Sequence, residues 1–263
     1  MKLNYRQYSK RGEPLLVLHG LFGSLSNWGW HCKKLADDYA VIGVDLRNHG
    51  DSPHSGDMSY SDMAADVVEL LVALGHKTCS ICGHSMGGKV AMEVALGDPG
   101  LVNRLVVVDI APVNYPDKAE GHRRILAAMQ ELDLQSVRNR AEAEKKLQPD
   151  IEDEATLKFI LTNLVRNDSG TYTWRLNLNA IESNYDRLRE KPASRGPFEK
   201  PTLFVRGALS NYVGKRNEAE ILELFPNAEV KTVTETGHWL HAEKPEVFQT
   251  IVRGFLNREN KSL

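Results

Sequence analysis

The chain has 263 residues, 41% of them hydrophobic and 26% charged, enough to bury the core of one large domain or of one domain carrying an insertion. A formal net charge of −2 and a pI near 6.5 offer no basic face to nucleic acid or an anionic membrane, and no apolar run reaches the roughly 18 residues of a transmembrane helix. The opening Met1-Lys2-Leu3-Asn4-Tyr5-Arg6-Gln7-Tyr8 stretch has neither a signal-peptide core nor a transit-peptide pattern, so a soluble cytoplasmic protein without membrane insertion is expected.

Residues 3–8 alternate weakly and read as an outer strand. Pro14–Leu18 is a short apolar run of the kind buried on both faces of a sheet. It ends in the glycine-punctuated loop His19-Gly20-Leu21-Phe22-Gly23-Ser24, before a helix over 27–36. Residues 40–45 form the next buried strand, closing in Leu46-Arg47-Asn48-His49-Gly50-Asp51-Ser52-Pro53, where Asp45 is expected to tie the loop down. A helix over 59–74 has a capping serine, an apolar stripe through Met63, Val67, Leu70 and Leu71, and Gly75 as its stop. Thr78 to Cys82 gives a strand, Val90 to Leu96 a helix, and 101–110 another strand with Asp109 at its carboxyl end. From Val113 to Phe198 the chain turns charged and mostly helical, with helices expected over 119–132, 134–147, 152–165 and 180–188 and an extended piece over 172–176. Alternation resumes with strands at 201–205 and 229–233 and helices at 215–224 and 245–257. Repeated strand–helix alternation implies an α/β fold, a mostly parallel sheet flanked by helices. Residues 1–112 and 199–263 would form its core, with 113–198 inserted as a helical cap.

The stretch Gly83-His84-Ser85-Met86-Gly87-Gly88-Lys89 lies between strand and helix, where G-x-S-x-G becomes a nucleophile elbow. So sharp a turn needs its glycines for close backbone approach, and it leaves Ser85 strained at the apex with its hydroxyl in the open. The next amide, that of Met86, lies at the first turn of the helix and can donate to an oxyanion. The same residues match most of a phosphate-binding P-loop, but Val90 stands where that motif needs a Ser or Thr for Mg²⁺. A plain strand-to-helix turn with an incidental serine is the other alternative. Cys79-Ser80-Ile81-Cys82 spells C-x-x-C, yet residues three apart on a strand face opposite sides roughly 10 Å apart, too far for a disulfide. Two buried strand cysteines are expected.

In a parallel sheet the strands share one carboxyl edge, and sites form there. The His19-Gly20-Leu21 loop, Ser85, Asp109 and the Thr236-Gly237-His238-Trp239 turn all fall on that edge. An ester or thioester hydrolase needs a nucleophile, a base, an anion to orient the base and donors for the oxyanion. These loops carry them in the order Ser, Asp, His. His19 and His84 are expected to brace their loops by hydrogen bonding. His238 and His241 lack a third ligand at metal spacing, so no metal is expected.

Together with Asp109-Ile110-Ala111-Pro112-Val113 and Gly237-His238-Trp239-Leu240-His241-Ala242-Glu243-Lys244-Pro245, these motifs resemble the YbfF-type esterases of the α/β-hydrolase superfamily. The resemblance runs nearly end to end and is weakest in the cap. It implies the α/β-hydrolase fold and hydrolysis of acyl esters, with acyl-CoA thioesters as a second class, without a cofactor. It also implies Ser85 as nucleophile, His238 as base, and the Leu21 and Met86 amides as oxyanion hole. The chain departs from the broader superfamily after the 203–205 strand. There Arg206-Gly207-Ala208-Leu209-Ser210-Asn211-Tyr212-Val213 has no carboxylate where the triad acid commonly sits. Asp109, at the end of the strand beside the elbow, is the expected acid, with the cap residue Asp186 its rival.

A small-molecule acyl substrate would be bound by Phe22, Trp174, Tyr212 and Trp239, with Phe159, Tyr172 and Leu176 as further cap contributors, unless these form the cap's own core. Two other functions keep the fold: an acyltransferase passing the acyl group to an alcohol, and a non-catalytic binding protein. A strained serine speaks against the latter. A dehalogenase or epoxide hydrolase would need aspartate at Ser85.

Overall fold

The computed structural model describes residues 1–116, 120–193 and 196–258. Chain order begins with β1 (Tyr5–Gln7), β2 (Pro14–Leu18), α1 (Gly29–Leu35), β3 (Ala40–Val44), α2 (Tyr60–Ala73), β4 (Cys79–His84), α3 (Met86–Gly97) and β5 (Val102–Val108). Between β5 and β8, neighbours in the sheet, comes the segment expected as the insertion, with α4 (Glu120–Glu131), α5 (Arg140–Leu147), α6 (Glu154–Leu161), β6 (Leu164–Arg166), β7 (Tyr172–Trp174) and α7 (Leu178–Ser183). The chain closes with β8 (Thr202–Gly207), α8 (Glu218–Leu224), β9 (Ala228–Val233), α9 (Leu240–Glu243) and α10 (Pro245–Leu256).

Seven strands make one sheet in the order β1-β3-β2-β4-β5-β8-β9, with only β1 antiparallel to its neighbour. Alternation along the strands sorts side chains onto two faces. Leu16, Leu18, Ile42, Val44, Ile81, Leu105 and Val107 meet α2 and α3 on one face. Leu15, Val17, Val41, Val106, Val108, Leu203 and Val205 meet Cys32 and Leu35 of α1 and Phe248, Val252 and Phe255 of α10 on the other. Cys79 belongs to the first cluster and Cys82 to the second, both buried and unpaired. Ser59 caps α2, its hydroxyl accepting from the Asp62 amide at 3.1 Å, a contact typically worth ~1 kcal/mol to a helix. Among the described residues no helix is long and apolar enough to cross a membrane.

The insertion departs from expectation in three places. The helix expected over 119–132 is present as Glu120–Glu131, with Ala119 outside the described residues, whereas the one expected over 180–188 is α7, which stops at Ser183, and a 3₁₀ turn at Arg187–Arg189. The one expected over 134–147 is a 3₁₀ turn at Leu134–Ser136 followed by α5. Asn139 starts the latter by accepting from the Glu142 amide, which separates the two pieces. The one expected over 152–165 stops at Leu161. Leu164–Arg166 instead pairs antiparallel with Tyr172–Trp174, across a turn in which Gly170 takes φ 81°. Three-residue strands carry no readable period, so this hairpin was hidden inside an apolar run.

Candidate active site

Strand register brings the candidate residues to one level. His84 of β4 pairs with Val108 of β5, and Val108 pairs with Val205 of β8. The next residue on each of the first two strands, Ser85 and Asp109, donates its amide to the neighbouring strand, to Val108 O at 2.9 Å and Val205 O at 2.8 Å. Both then turn out of the sheet at φ 51°, a conformation that non-glycine residues adopt only where surrounding structure holds them. At Ser85 the chain enters α3 directly. A Cβ on Gly83 would lie 2.2 Å from Gly87 O, and one on Gly87 would lie 2.4 Å from His19 O. The elbow therefore needs glycine at both positions, the second because it packs against the end of β2.

Asp109 is fully buried and accepts three donors: Nδ1–H of His238 at 2.8 Å, the Gly207 amide at 3.0 Å, and the Ser210 hydroxyl. A buried carboxylate is tolerable when so satisfied. Its bond to Nδ1 leaves Nε2 of His238 as the ring's acceptor. The Tyr212 ring covers the imidazole at 4.2 Å, and Tyr115 locks that lid by accepting from the Ala111 amide at 2.8 Å and donating to Tyr212 O at 2.7 Å. Asp186 is engaged elsewhere, exposed and paired with Arg123 and Arg189.

Buried neutral histidines brace the surrounding loops. His84 Nε2–H donates to His238 O at 3.0 Å, tying the elbow strand to the histidine turn. His19 donates Nδ1–H to Gly20 O and accepts the Leu46 amide on Nε2 at 3.0 Å. His49 donates to Arg47 O and accepts the Phe22 amide at 3.2 Å, which supports Phe22 at φ 61°. Desolvation pushes His19 and His84 below the usual imidazole pKa and His49 down to about 3. Asp45 joins three segments, accepting from the Leu25 amide at 2.7 Å, Asn4 Nδ2 at 2.8 Å and the Asp51 amide at 3.0 Å. His241 is buried, stacked on Trp28 at 4.4 Å and 4.5 Å from the His84 ring.

A cavity of about 730 Å³ opens beside the elbow, lined by Leu21, Ser85, Met86, Tyr212 and, from the insertion, Val113, Tyr115, His122 and Leu188. Gly20 presses its backbone against Ser85, since a Cβ there would sit 3.2 Å from the serine Cβ, and so holds the Leu21 loop next to it. Three residues expected in the pocket lie outside this lining. Trp174 is buried in the insertion's own packing, its indole N–H donating to Met129 O in the last turn of α4 at 3.0 Å, as a buried indole must place its donor. Trp239 packs on Phe159 at 4.4 Å, and Phe22 meets His122 edge-on at 5.9 Å. Ser210, His122 and Lys89 were not assigned from the sequence. The signal for Ser210 was a hydroxyl standing where the superfamily's acid commonly lies.

A serine on a strained strand–helix elbow, with an Asp–His pair in the loops after later strands of the same mostly parallel sheet, defines the class as α/β hydrolase. Residues 13–245 match the model for the alpha/beta hydrolase fold, and the chain belongs to that family. Within it the chain is a YbfF-type hydrolase, 34% identical to Esterase YbfF of Escherichia coli over 98% of this chain and 100% of that protein. The sn-1-specific diacylglycerol lipase ABHD11 of Mus musculus is 42% identical over 92% of this chain and 80% of its own length. A marine microorganism esterase superposes with a TM-score of 0.95 at 37% identity, covering 97% of this chain and 99% of that one. These esterase and lipase relatives support ester hydrolysis as the class of reaction.

Proposed function

We propose that the chain is a serine carboxylic-ester hydrolase working through an acyl-enzyme, with Ser85 as nucleophile, His238 as base, Asp109 as the orienting acid, and the Leu21 and Met86 amides as oxyanion hole. The observation that carries this reading is the 2.8 Å bond from His238 Nδ1–H to a fully buried Asp109, one strand over from the serine elbow. Asp109 fixes the tautomer in which Nε2 can accept the Ser85 proton as Oγ attacks the ester carbonyl. The carbonyl oxygen gains the negative charge, which the two amides receive. Collapse expels the alcohol, and His238 returns the proton to it. Water then attacks the acyl-Ser85 ester with the same base, releasing the acid and restoring the serine.

Acyl-CoA thioesters are the second substrate class under this reading, since the same attack applies to a thioester carbonyl. Transfer of the acyl group to an alcohol instead of water is the alternative, and product analysis with and without ethanol separates the two. Diacylglycerol belongs in the substrate screen because the mouse relative is named for it, alongside p-nitrophenyl esters of graded length and acyl-CoAs. The direct test is labelling with a fluorophosphonate, which only an activated serine attacks at neutral pH. A single adduct on the Ser85 peptide is expected, and labelling that survives in Ser85→Ala overturns the assignment.

A further inference from the structure

Lys89 takes no part in the steps above, yet it is 1% exposed and among the largest fully buried side chains. It lies one turn into α3, its amide bonded to Ser85 O at 3.1 Å. Its ammonium turns toward the insertion and donates to three backbone carbonyls: Val113 O at 3.0 Å, Arg189 O at 3.2 Å, and Glu190 O. The rings of Tyr60 and Tyr115 flank it at 5.4 and 4.8 Å. Val113 is the first residue of the expected insertion; Arg189 and Glu190 lie at the end of its last helical turn, Arg187–Arg189. The same junction is tied by the Tyr115 amide to Arg189 O at 2.9 Å and by the Tyr60 hydroxyl to Leu188 O at 2.6 Å.

An ammonium has three N–H donors, and here each meets a different carbonyl. An apolar side chain of the same length would fill the space without the cost of burying an amine. That cost is visible in a pKa pulled by desolvation from 10.5 to about 7, against the opposing pull of the Glu190 carboxylate. What the amine supplies beyond volume is geometry. It joins the two ends of the insertion to the helix that begins at the nucleophile.

We propose that Lys89 is a positioning residue that clamps the entry and exit of the cap to α3 and thereby sets the wall of the acyl cavity, whose Val113, Tyr115 and Leu188 sit on the clamped segments. The proposal rests on the ester-hydrolase reading of the site. Loosening the clamp lets that wall move while the hydrogen bonds that join Asp109 to His238, Gly207 and Ser210, none of them made by the clamped segments, stay in place. An acyl chain long enough to touch the wall then loses its fit, whereas an acetyl group does not reach it.

The test is Lys89→Met, assayed on p-nitrophenyl acetate and p-nitrophenyl octanoate. KM for octanoate is expected to rise about tenfold while kcat and KM for acetate stay within about twofold, the signature of lost ground-state binding. Parallel changes with both esters, or no change with either, overturn the proposal. Should Lys89→Met not fold, Lys89→Arg serves, because a guanidinium keeps the charge but cannot converge three donors on one point. It is expected to show the same split at smaller size, and an unchanged octanoate KM in it overturns the clamp. Failure of the ester-hydrolase reading looks different: wild-type protein hydrolyses neither ester, or Ser85→Ala hydrolyses both.

Discussion

Ser85 and Asp109 leave adjacent strands at the same level and with the same φ of 51°. Two non-glycine residues in the left-handed region, side by side at a strand end, each cost on the order of 1–3 kcal/mol of backbone strain. The pairing places a hydroxyl and a carboxylate at the same sheet edge, and His238 spans from the second of them.

Asp109→Asn is therefore expected to lower kcat by at least roughly 10², since loss of the equivalent aspartate in a serine triad costs about 10⁴ through the wrong tautomer. Asparagine fills the same buried volume, so Tm should move by no more than roughly 2–4 °C. Near-normal turnover would place the acid elsewhere, and Asp186→Asn serves as the comparison because Asp186 is exposed and paired with arginines.

Ser210→Ala removes one of three donors to the buried Asp109 carboxylate. A hydrogen bond to a charged group is worth about 1.5–3 kcal/mol, and part of that acts on the orientation of the acid. A fall in kcat of about tenfold is expected, with KM unchanged, read from steady-state kinetics on a short ester. A kcat equal to that of the wild type would make Ser210 a loop contact alone.

Trp174→Ala is expected to act on stability and leave substrate choice alone. The indole is 9% exposed, packs within the insertion and spends its N–H on Met129 O. Truncation of a buried tryptophan costs roughly 3–5 kcal/mol, while the ranking of p-nitrophenyl esters by chain length should not change. A shifted ranking with intact Tm would return this residue to the pocket.

The buried histidines predict acid lability. His31 is held down to about 4 and His49 to about 3, both chiefly by desolvation, against 6.5 in the unfolded chain. Folded-state pKa values below the unfolded value mean that the unfolded state binds more protons between the two, so stability is full above pH 6.5 and falls as the pH drops toward 3–4. At 1.36 kcal/mol per pKa unit the two contribute roughly 3–5 kcal/mol each, comparable to much of a domain's net stability. Thermal melts should shift down steeply between pH 6.5 and 4, and less so in His31→Gln. A flat Tm across that window contradicts the assignment of these histidines as buried and neutral.

The sheet and its active edge were legible because buried parallel strands write themselves as short apolar runs, and because the elbow needs glycine at fixed offsets. A pairing of Asp109 with His238, seen here at 2.8 Å, could be expected by elimination, since the Gly207–Val213 loop holds no carboxylate. The insertion was harder. Asn139 splits what reads as one helix, and Leu164–Arg166 is too short to show a strand's period. The aromatic residues there could be counted, but which ones face a cavity depends on packing between segments far apart in sequence. Trp174 and Tyr212 are alike in composition, yet one is spent on the cap's interior and the other covers His238. Lys89 shows the same limit, because its partners are backbone carbonyls about 24 and 100 residues away, which no side-chain pattern encodes.

The buried residues of the insertion, among them Leu126, Met129, Ile160 and Ile181, belong to the same contiguous cluster as Leu16, Ile42, Ile81 and Val107 of the sheet. Heat should thus take both apart in one cooperative transition, with calorimetric and van't Hoff enthalpies in agreement. For protein engineering this sets the unit of exchange. A cap borrowed from another hydrolase will dock here only if the sheet-side residues it rests on are transplanted with it.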